Sequence, residues 1–240
     1  MLIFVVNRAH KELAIAEIES LTSMKGTETD GVYKLDIRWN KKFSRLAFTK
    51  QIWSDNRLVC DINKANKYQE RRAHLLPAPH PAMSHPKIAR VMVNLSKAKQ
   101  ILDPFCGAGG ILIEAALCRI KAKGFDIDNR MIKRTETNLK HCGIKNVTIK
   151  QQDATTFTET AEAVVTDLPY AKNTKVSAPL DELYTAFFRN LKKNKIKRAV
   201  IGFPDTIDYK KFTKGFTIEN EFTYYLHKSL SKKIVVMHRS

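Results

Sequence analysis

Cysteine is scarce in this chain of 240 residues: Cys60, Cys106, Cys118 and Cys142 stand far apart, with no C-x-x-C pair and no histidine at ligand spacing. That pattern argues against both a zinc site and a disulfide framework. His80 and His85 lie five positions apart in a proline-rich stretch and read as solvated loop histidines, so no metal is expected. Long apolar runs are missing too, since nothing approaches the ~20 residues that cross a bilayer. Met1–Val6 is one strand's length and lacks the flank and cleavage site of a signal peptide. A cytoplasmic protein with no membrane partner is the expectation. No internal repeat or low-complexity tract is visible. Acidic residues are in short supply: 24 Asp and Glu face 42 Lys and Arg, a net charge of +18. An excess of that size implies a polyanionic partner. The basic residues are spread over Lys34–Arg45, Lys64–Arg72, Arg189–Arg198 and Lys228–Lys233. None of these runs is a long amphipathic helix with a Trp/Phe/Leu face, which favours nucleic acid over a membrane surface. Each run alone reads as a solvated face; only their sum points to a partner.

From Gln100 onward, strand-length apolar runs alternate with helical patterns. Strands are expected at Gln100–Asp103, Lys121–Asp126, Val147–Gln151, Ala163–Thr166 and Ala199–Phe203, with helices at Gly110–Arg119, Asn129–Cys142 and Leu180–Leu191. Such alternation builds a parallel sheet with helices on both faces. The runs Thr217–Leu226 and Lys233–Met237 are separated only by residues 227–232, too few for a crossover helix, so they pair antiparallel. A mostly parallel sheet closed by an antiparallel hairpin is the α/β architecture of Rossmann-like methyltransferases. Residues 1–60 form a separate small α+β unit, with strands at Leu2–Val6 and Gly31–Ile37 and helices at Lys11–Leu21 and around Lys41–Trp53. Leu13, Ala16, Ile18 and Leu21 give the first of these helices its apolar stripe. Residues 61–84, rich in Lys, Arg, Asn, His and Pro, read as a linker. Residues 85–240 then make the second domain.

The run Ile101–Gly110, ILDPFCGAGG, carries a strand end into a helix start. Three glycines in its last four positions let backbone approach a ligand, and the helix start offers free N–H groups. A dinucleotide would also use a Gly-rich strand-to-helix turn. Two features oppose that ligand. Leu112 stands where the third glycine of G-x-G-x-x-G would fall, and Asp103 heads the turn, where it would repel a diphosphate yet welcome the cationic methionine end of S-adenosyl-L-methionine. The candidate cofactor residues here are Asp103, Phe105, Cys106, Gly107, Ala108 and Gly109. Asp126 ends the next strand, 23 residues beyond Asp103, placed to bind ribose hydroxyls, while Asp128 is left as a helix cap. Asp153 and Ala154, after the third strand, would meet the adenine. Each aspartate alone also reads as a turn or N-cap residue; three at consecutive strand ends behind one Gly-rich turn read as a site.

Val164–Tyr170, VVTDLPY, ends the fourth strand, beside the switch point where the crevice of such a sheet lies. An exocyclic base amine is a poor nucleophile because its lone pair is delocalised into the ring. Acceptors on its two hydrogens, the Asp167 carboxylate and the Leu168 carbonyl, would localise that pair and take the developing positive charge. Pro169 fixes the turn, and Tyr170 offers a face on which a base can stack. D-L-P-Y resembles the [D/N]-P-P-[Y/F] motif of amino-methyltransferases acting on nucleic acid, and D-P-F-C-G-A-G-G-I-L-I-E-A resembles the first motif of tRNA guanosine-N(2) methyltransferases. Together with Arg71–His74, Pro86–Arg90, Val93–Leu95 and His227–Ser231, they are similar to the archaeal enzymes that methylate guanosine at position 10 of tRNA. The resemblance covers about residues 65–240. It implies a Rossmann-like class I methyltransferase domain, S-adenosyl-L-methionine as cofactor and tRNA as partner. It also makes Arg45–Lys50 part of an N-terminal ferredoxin-like domain.

Two departures accompany the resemblance. Leu168 replaces the first proline of the motif; its carbonyl survives, and the loss is one of preorganisation, ~0.4–1 kcal/mol. Family members carry a THUMP domain between the ferredoxin-like part and the linker, for which this sequence leaves no room. A separate RNA-capture or activator protein is therefore a further expected partner. Two other readings stay open: an adenine amino-methyltransferase on RNA or DNA, and a non-catalytic RNA-binding subunit with the same fold.

Overall fold

In β1 (Leu2–Val6) the side chains of Leu2, Phe4 and Val6 are buried and those between them half-buried. The computed structural model describes residues 1–170, 180–227 and 230–240. After β1, helix α1 (Lys11–Thr22) turns Leu13, Ala14, Ile18 and Leu21 inward and ends at Ser23 in the left-handed region, φ 59°. Strands β2 (Thr27–Thr29), β3 (Val32–Leu35), β4 (Thr49–Ser54) and β5 (Arg57–Asp61) complete an antiparallel sheet ordered β2-β3-β1-β4-β5. Its first four strands follow the split βαβ pattern of ferredoxin-like units. The helix expected around Lys41–Trp53 is absent. Lys41–Arg45 is a short 3-10 turn capped by Asn40, and Thr49–Ser54 is strand. The cause lies just beyond: Asp55 and Asn56, at φ 49° and 61°, make a two-residue turn that pairs Ser54 with Arg57. Such turns lock hairpins, and the ladder overrides helical spacing.

The stretch read as a linker is built rather than loose. It forms α2 (Ile62–Asn66), capped by Asp61, and two 3-10 turns at Tyr68–Arg71 and Ala73–Leu75, and it buries Tyr68 and Leu76. Helix α3 (Pro86–Leu95) follows, with His85 as its cap and proline in its first turn, where a missing N–H costs nothing.

The second sheet takes β6 (Gln100–Asp103), β7 (Lys121–Asp126), β8 (Val147–Gln151), β9 (Ala163–Asp167), β10 (Arg198–Pro204), β11 (Phe216–His227) and β12 (Leu230–Arg239), ordered β11-β12-β10-β9-β6-β7-β8. Helices α4 (Gly110–Leu117), α5 (Asn129–His141) and α6 (Leu180–Lys193) connect its strands. Strands β6 to β10 are parallel, and β12 runs antiparallel to both neighbours. Chain order reverses between β6 and β9, so a crevice opens at the carboxyl ends of those strands. Of the His227–Ser231 segment singled out above, residues 228 and 229 lie outside the described residues.

Helix α3 packs against α1 on one side and α4 and β10 on the other. One apolar core runs from β1 through α3 into β6 and β10. The seam is polar as well. Arg90 pairs with Glu114 at 2.7 Å with both side chains almost fully buried, and Arg71 reaches the same carboxylate at 2.7 Å. Glu17 accepts from the Ala47 and Phe48 N–H groups and from the Asn94 amide. Buried charges so paired fix relative placement more than they add stability. Among the described residues, no helix is long and apolar enough to cross a membrane.

Candidate active site

The turn after β6 is shaped by Gly107 and Gly109, at φ 52° and 90°, values that L side chains avoid. Its carbonyls are tied to α5: the Thr135 hydroxyl donates to Gly107 at 2.7 Å and the Asn138 amide to Ala108 at 3.0 Å. A Cβ built on Gly107 would meet no protein atom within 4 Å, so this backbone is bare toward the cavity it lines. Leu112, which breaks the dinucleotide spacing, fills the space over Gly124, where a Cβ would lie 2.3 Å from its Cδ1.

Three carboxylates stand around that turn. Asp103 is buried and accepts from the Thr166 hydroxyl at 2.6 Å and the Phe105 N–H at 3.3 Å. Burial pushes its carboxyl up to about 7, against those hydrogen bonds. Asp126 accepts from the Gly107 N–H and the Asp128 N–H, each at 2.9 Å, and burial raises it as well. Asp153 binds the Thr155 N–H and hydroxyl through a single oxygen. Ala154 beside it is buried, its carbonyl held by Asn190.

Asp167 ends β9 and points into the same cavity, of about 750 Å³. Its Oδ1 accepts from the Tyr170 hydroxyl at 3.0 Å; its Oδ2 accepts from the Ser84 hydroxyl at 2.5 Å and from the Lys232 ammonium. Gly202 of β10 makes the room, because a Cβ there would lie 2.5 Å from Oδ1. The Leu168 N–H donates to the Gly202 carbonyl, and the Tyr184 hydroxyl donates to the Pro169 carbonyl at 2.7 Å, fixing the turn. The Tyr170 phenol is held well above its usual range by burial and then by Asp167.

The cavity thus brings together Asp103, Phe105, Cys106, Gly107, Ala108, Asp126, Asp153 and Ala154 with Asp167–Tyr170. Gly109 stands back from it as the residue before α4, against Thr135. Two side chains that contact Asp167 escaped the sequence reading. Ser84 comes from the stretch taken as linker, which the Arg134 and Asn138 side chains pin over the site through Pro79 and Ala78. Lys232 belongs to the run Lys228–Lys233 read as solvated surface, and that reading fails for it: it is only 3% exposed. Strand alternation carries the missing signal, since Lys232 shares a face of β12 with the buried Ile234 and Val236. Arg71 and Arg198, from two other basic runs, are likewise engaged internally, with Glu114 and with Glu219 and the Leu95 carbonyl.

Bare backbone at Gly107 and a ring of carboxylates suit a nucleoside with a cationic tail and repel a diphosphate, so the residues present fit S-adenosylmethionine. Among the described residues, no cluster of metal-ligating side chains occurs.

Residues 74–233 match the family of RMKL-like methyltransferase domains, UPF0020. The chain is 37% identical over 183 residues to the tRNA (guanine(10)-N2)-dimethyltransferase of Pyrococcus abyssi, covering 72% of this chain and 55% of that one. To the enzyme of the same name in Methanocaldococcus jannaschii it is 30% identical over 249 residues, covering 96% of this chain and 68% of that one. It therefore spans about half the length of the Pyrococcus relative. Among solved structures, TrmN from Thermus thermophilus superposes with a TM-score of 0.62 at 13% identity, covering 100% of this chain and 99% of that one. A putative methyltransferase complexed with SAH gives 0.58 at 20% identity, covering 68% and 55%. At those identities the likeness is one of fold.

Proposed function

This chain belongs to the family of RMKL-like methyltransferase domains, and from that premise we propose that it transfers a methyl group from S-adenosylmethionine to the N2 amine of a guanosine in tRNA, at position 10. One observation carries the reading: Asp167, Leu168 and Tyr170 line one cavity with the Gly-rich turn and three strand-end carboxylates. The names of the Pyrococcus and Methanocaldococcus relatives support the base and the position. The net charge of +18 supports a polyanionic substrate.

Asp103 would hold the methionine ammonium, Asp126 the ribose hydroxyls, and Asp153 with Ala154 the adenine. The cofactor supplies an activated methyl: its S–CH3 bond breaks as the N–CH3 bond forms, and the sulfonium becomes a neutral thioether. Asp167 Oδ1 and the Leu168 carbonyl accept the two amine hydrogens and orient the lone pair. The Tyr170 hydroxyl takes one acceptor position of Oδ1 and leaves the other for the amine, while its ring would stack on the extruded base. The nitrogen becomes cationic on methylation, and one of its protons passes to Oδ1 and on to water.

An adenine amine would suit the same four residues, so product chemistry decides. The protein, S-adenosylmethionine and unmodified tRNA should yield guanosine methylated on its exocyclic amine, read by nucleoside mass spectrometry. Methyladenosine as the main product would favour the adenine reading; cofactor binding without any product would favour a non-catalytic subunit. A separate RNA-capture or activator protein belongs to the same proposal, and its test is whether cell extract raises transfer by the isolated chain.

A further inference from the structure

A carboxylate that must present one oxygen to a substrate has a weakness: rotation about its terminal torsion is soft and two-fold. Asp167 is relieved of it. Oδ2 takes hydrogen bonds from Ser84 and Lys232, Lys232 also donates to the Ser84 hydroxyl at 3.0 Å, and the three close a triangle. Only the Tyr170 hydroxyl engages Oδ1 among the described partners, which leaves that oxygen an acceptor position for a substrate amine. The donors on Oδ2 are anchored elsewhere. The Lys232 stem lies across Gly202, its Cδ 3.4 Å from where a Cβ would stand. Ser84 sits on the strap before α3, whose Met83 packs against Gly110 of the cofactor turn. Lys232 also lies 5.8 Å from the centre of the Tyr170 ring and is not itself among the residues that line the cavity, so it acts on the site through Asp167 and Ser84.

We propose that Lys232 is a positioning residue: with Ser84 it clamps Oδ2 of Asp167, so that Oδ1 is the oxygen offered to the substrate amine. The proposal rests on the methyltransferase reading above. It assigns Lys232 no contact with cofactor or base and makes its effect conditional on the Asp167 carboxylate. A purely structural ion pair would behave otherwise, since its loss would lower stability and ligand binding together.

The test compares Lys232→Met and Lys232→Arg in the wild-type and Asp167→Asn backgrounds. Single-turnover transfer from S-adenosylmethionine to unmodified tRNA transcript gives the rate, and calorimetry gives cofactor affinity. Lys232→Met should slow transfer about 10²-fold, the scale for losing a positioned polar group, with cofactor affinity unchanged within about twofold. Lys232→Arg, which keeps a buried donor and charge, should recover most of the rate. In the Asp167→Asn background Lys232→Met should cost far less, because coupled residues are not additive. Equal losses in the two backgrounds, or a parallel loss of cofactor affinity, would overturn the proposal. If Lys232→Met does not fold, Ser84→Ala removes one donor and keeps the ion pair; it should slow transfer about tenfold, and an unchanged rate would count against the clamp. The Lys232 ammonium should also give a slowly exchanging Nζ–H resonance that shifts in Asp167→Asn. Finding that resonance in a wild-type protein that transfers nothing would sink the functional reading and leave the clamp standing; its absence from the folded wild type would sink the clamp.

Discussion

Asp103, Asp126 and Asp153 each bind a backbone N–H two residues further along the chain, whereas Asp167 is held by side chains 83 and 65 positions away. One half of the cavity is therefore made of strand ends that each hold their carboxylate locally, with one further bond from a neighbouring turn or strand at Asp126 and Asp103, and the other is assembled by distant side chains. A strand end that organises its own carboxylate needs only the sheet to deliver it. The Asp167 clamp needs the strap before α3, the gap at Gly202 and the antiparallel β12 all in place. The contrast implies a division of labour in which damage to the first half appears as cofactor affinity and damage to the second as rate.

The largest expected effect breaks the second half alone. Asp167→Ala should slow transfer by about 10²–10³-fold, as for other lost charge-stabilising groups, while calorimetric cofactor affinity stays unchanged; a joint loss would merge the two halves. Gly202→Ala sharpens the point without replacing a side chain of the site. Its Cβ would lie 2.5 Å from Oδ1; relieving that clash moves the carboxylate by ~1 Å, and a misplacement of that size costs about 10²-fold, again with normal cofactor titration. In the first half, Asp126→Ala should weaken the cofactor by ~1.5–3 kcal/mol, the range for hydrogen bonds to a charged group, with tRNA affinity intact. Unchanged cofactor affinity would remove Asp126 from the ribose role.

The smallest effect concerns pH. Asp103 titrates at about 7 without ligand, and a cationic ammonium binds its ionised form, so binding favours loss of the proton. Affinity is then nearly full at about pH 8, half lost near about pH 7, and down about tenfold by about pH 6. Titrations across that range check it. Asp103→Asn should flatten the profile, which separates Asp103 from Asp126 and His80 in the same cavity.

How far each half was legible in the sequence follows from the same contrast. Strands β6, β7 and β8 lie on the residues that apolar patterning assigned to them, and the cofactor turn announced itself in ten consecutive residues. Ser84 and Lys232 carry no local mark, because a serine in a Pro-rich stretch and a lysine among lysines look solvated until distant partners arrive. Helix α3 falls outside the expected elements for a related reason. Its Arg90 and Asn94, four apart, have the look of a wet face, yet both are buried against Glu114 and Glu17 from elsewhere in the chain. The false helix near Lys41 is a different failure: Phe43, Leu46 and Ala47 have helical spacing, but the left-handed pair Asp55–Asn56 decides the segment through the hairpin it closes.

The central claim, a methyl transferred to a guanosine amine held by Asp167, is tested most directly by single-turnover reactions with unmodified tRNA, comparing wild type with Asp167→Ala at saturating cofactor and identifying the product nucleoside. The account expects guanosine methylated on N2, at position 10, from the wild type, and none on that timescale from a variant that still binds cofactor. Methyladenosine from the wild type, or undiminished methylguanosine from the variant, would contradict it.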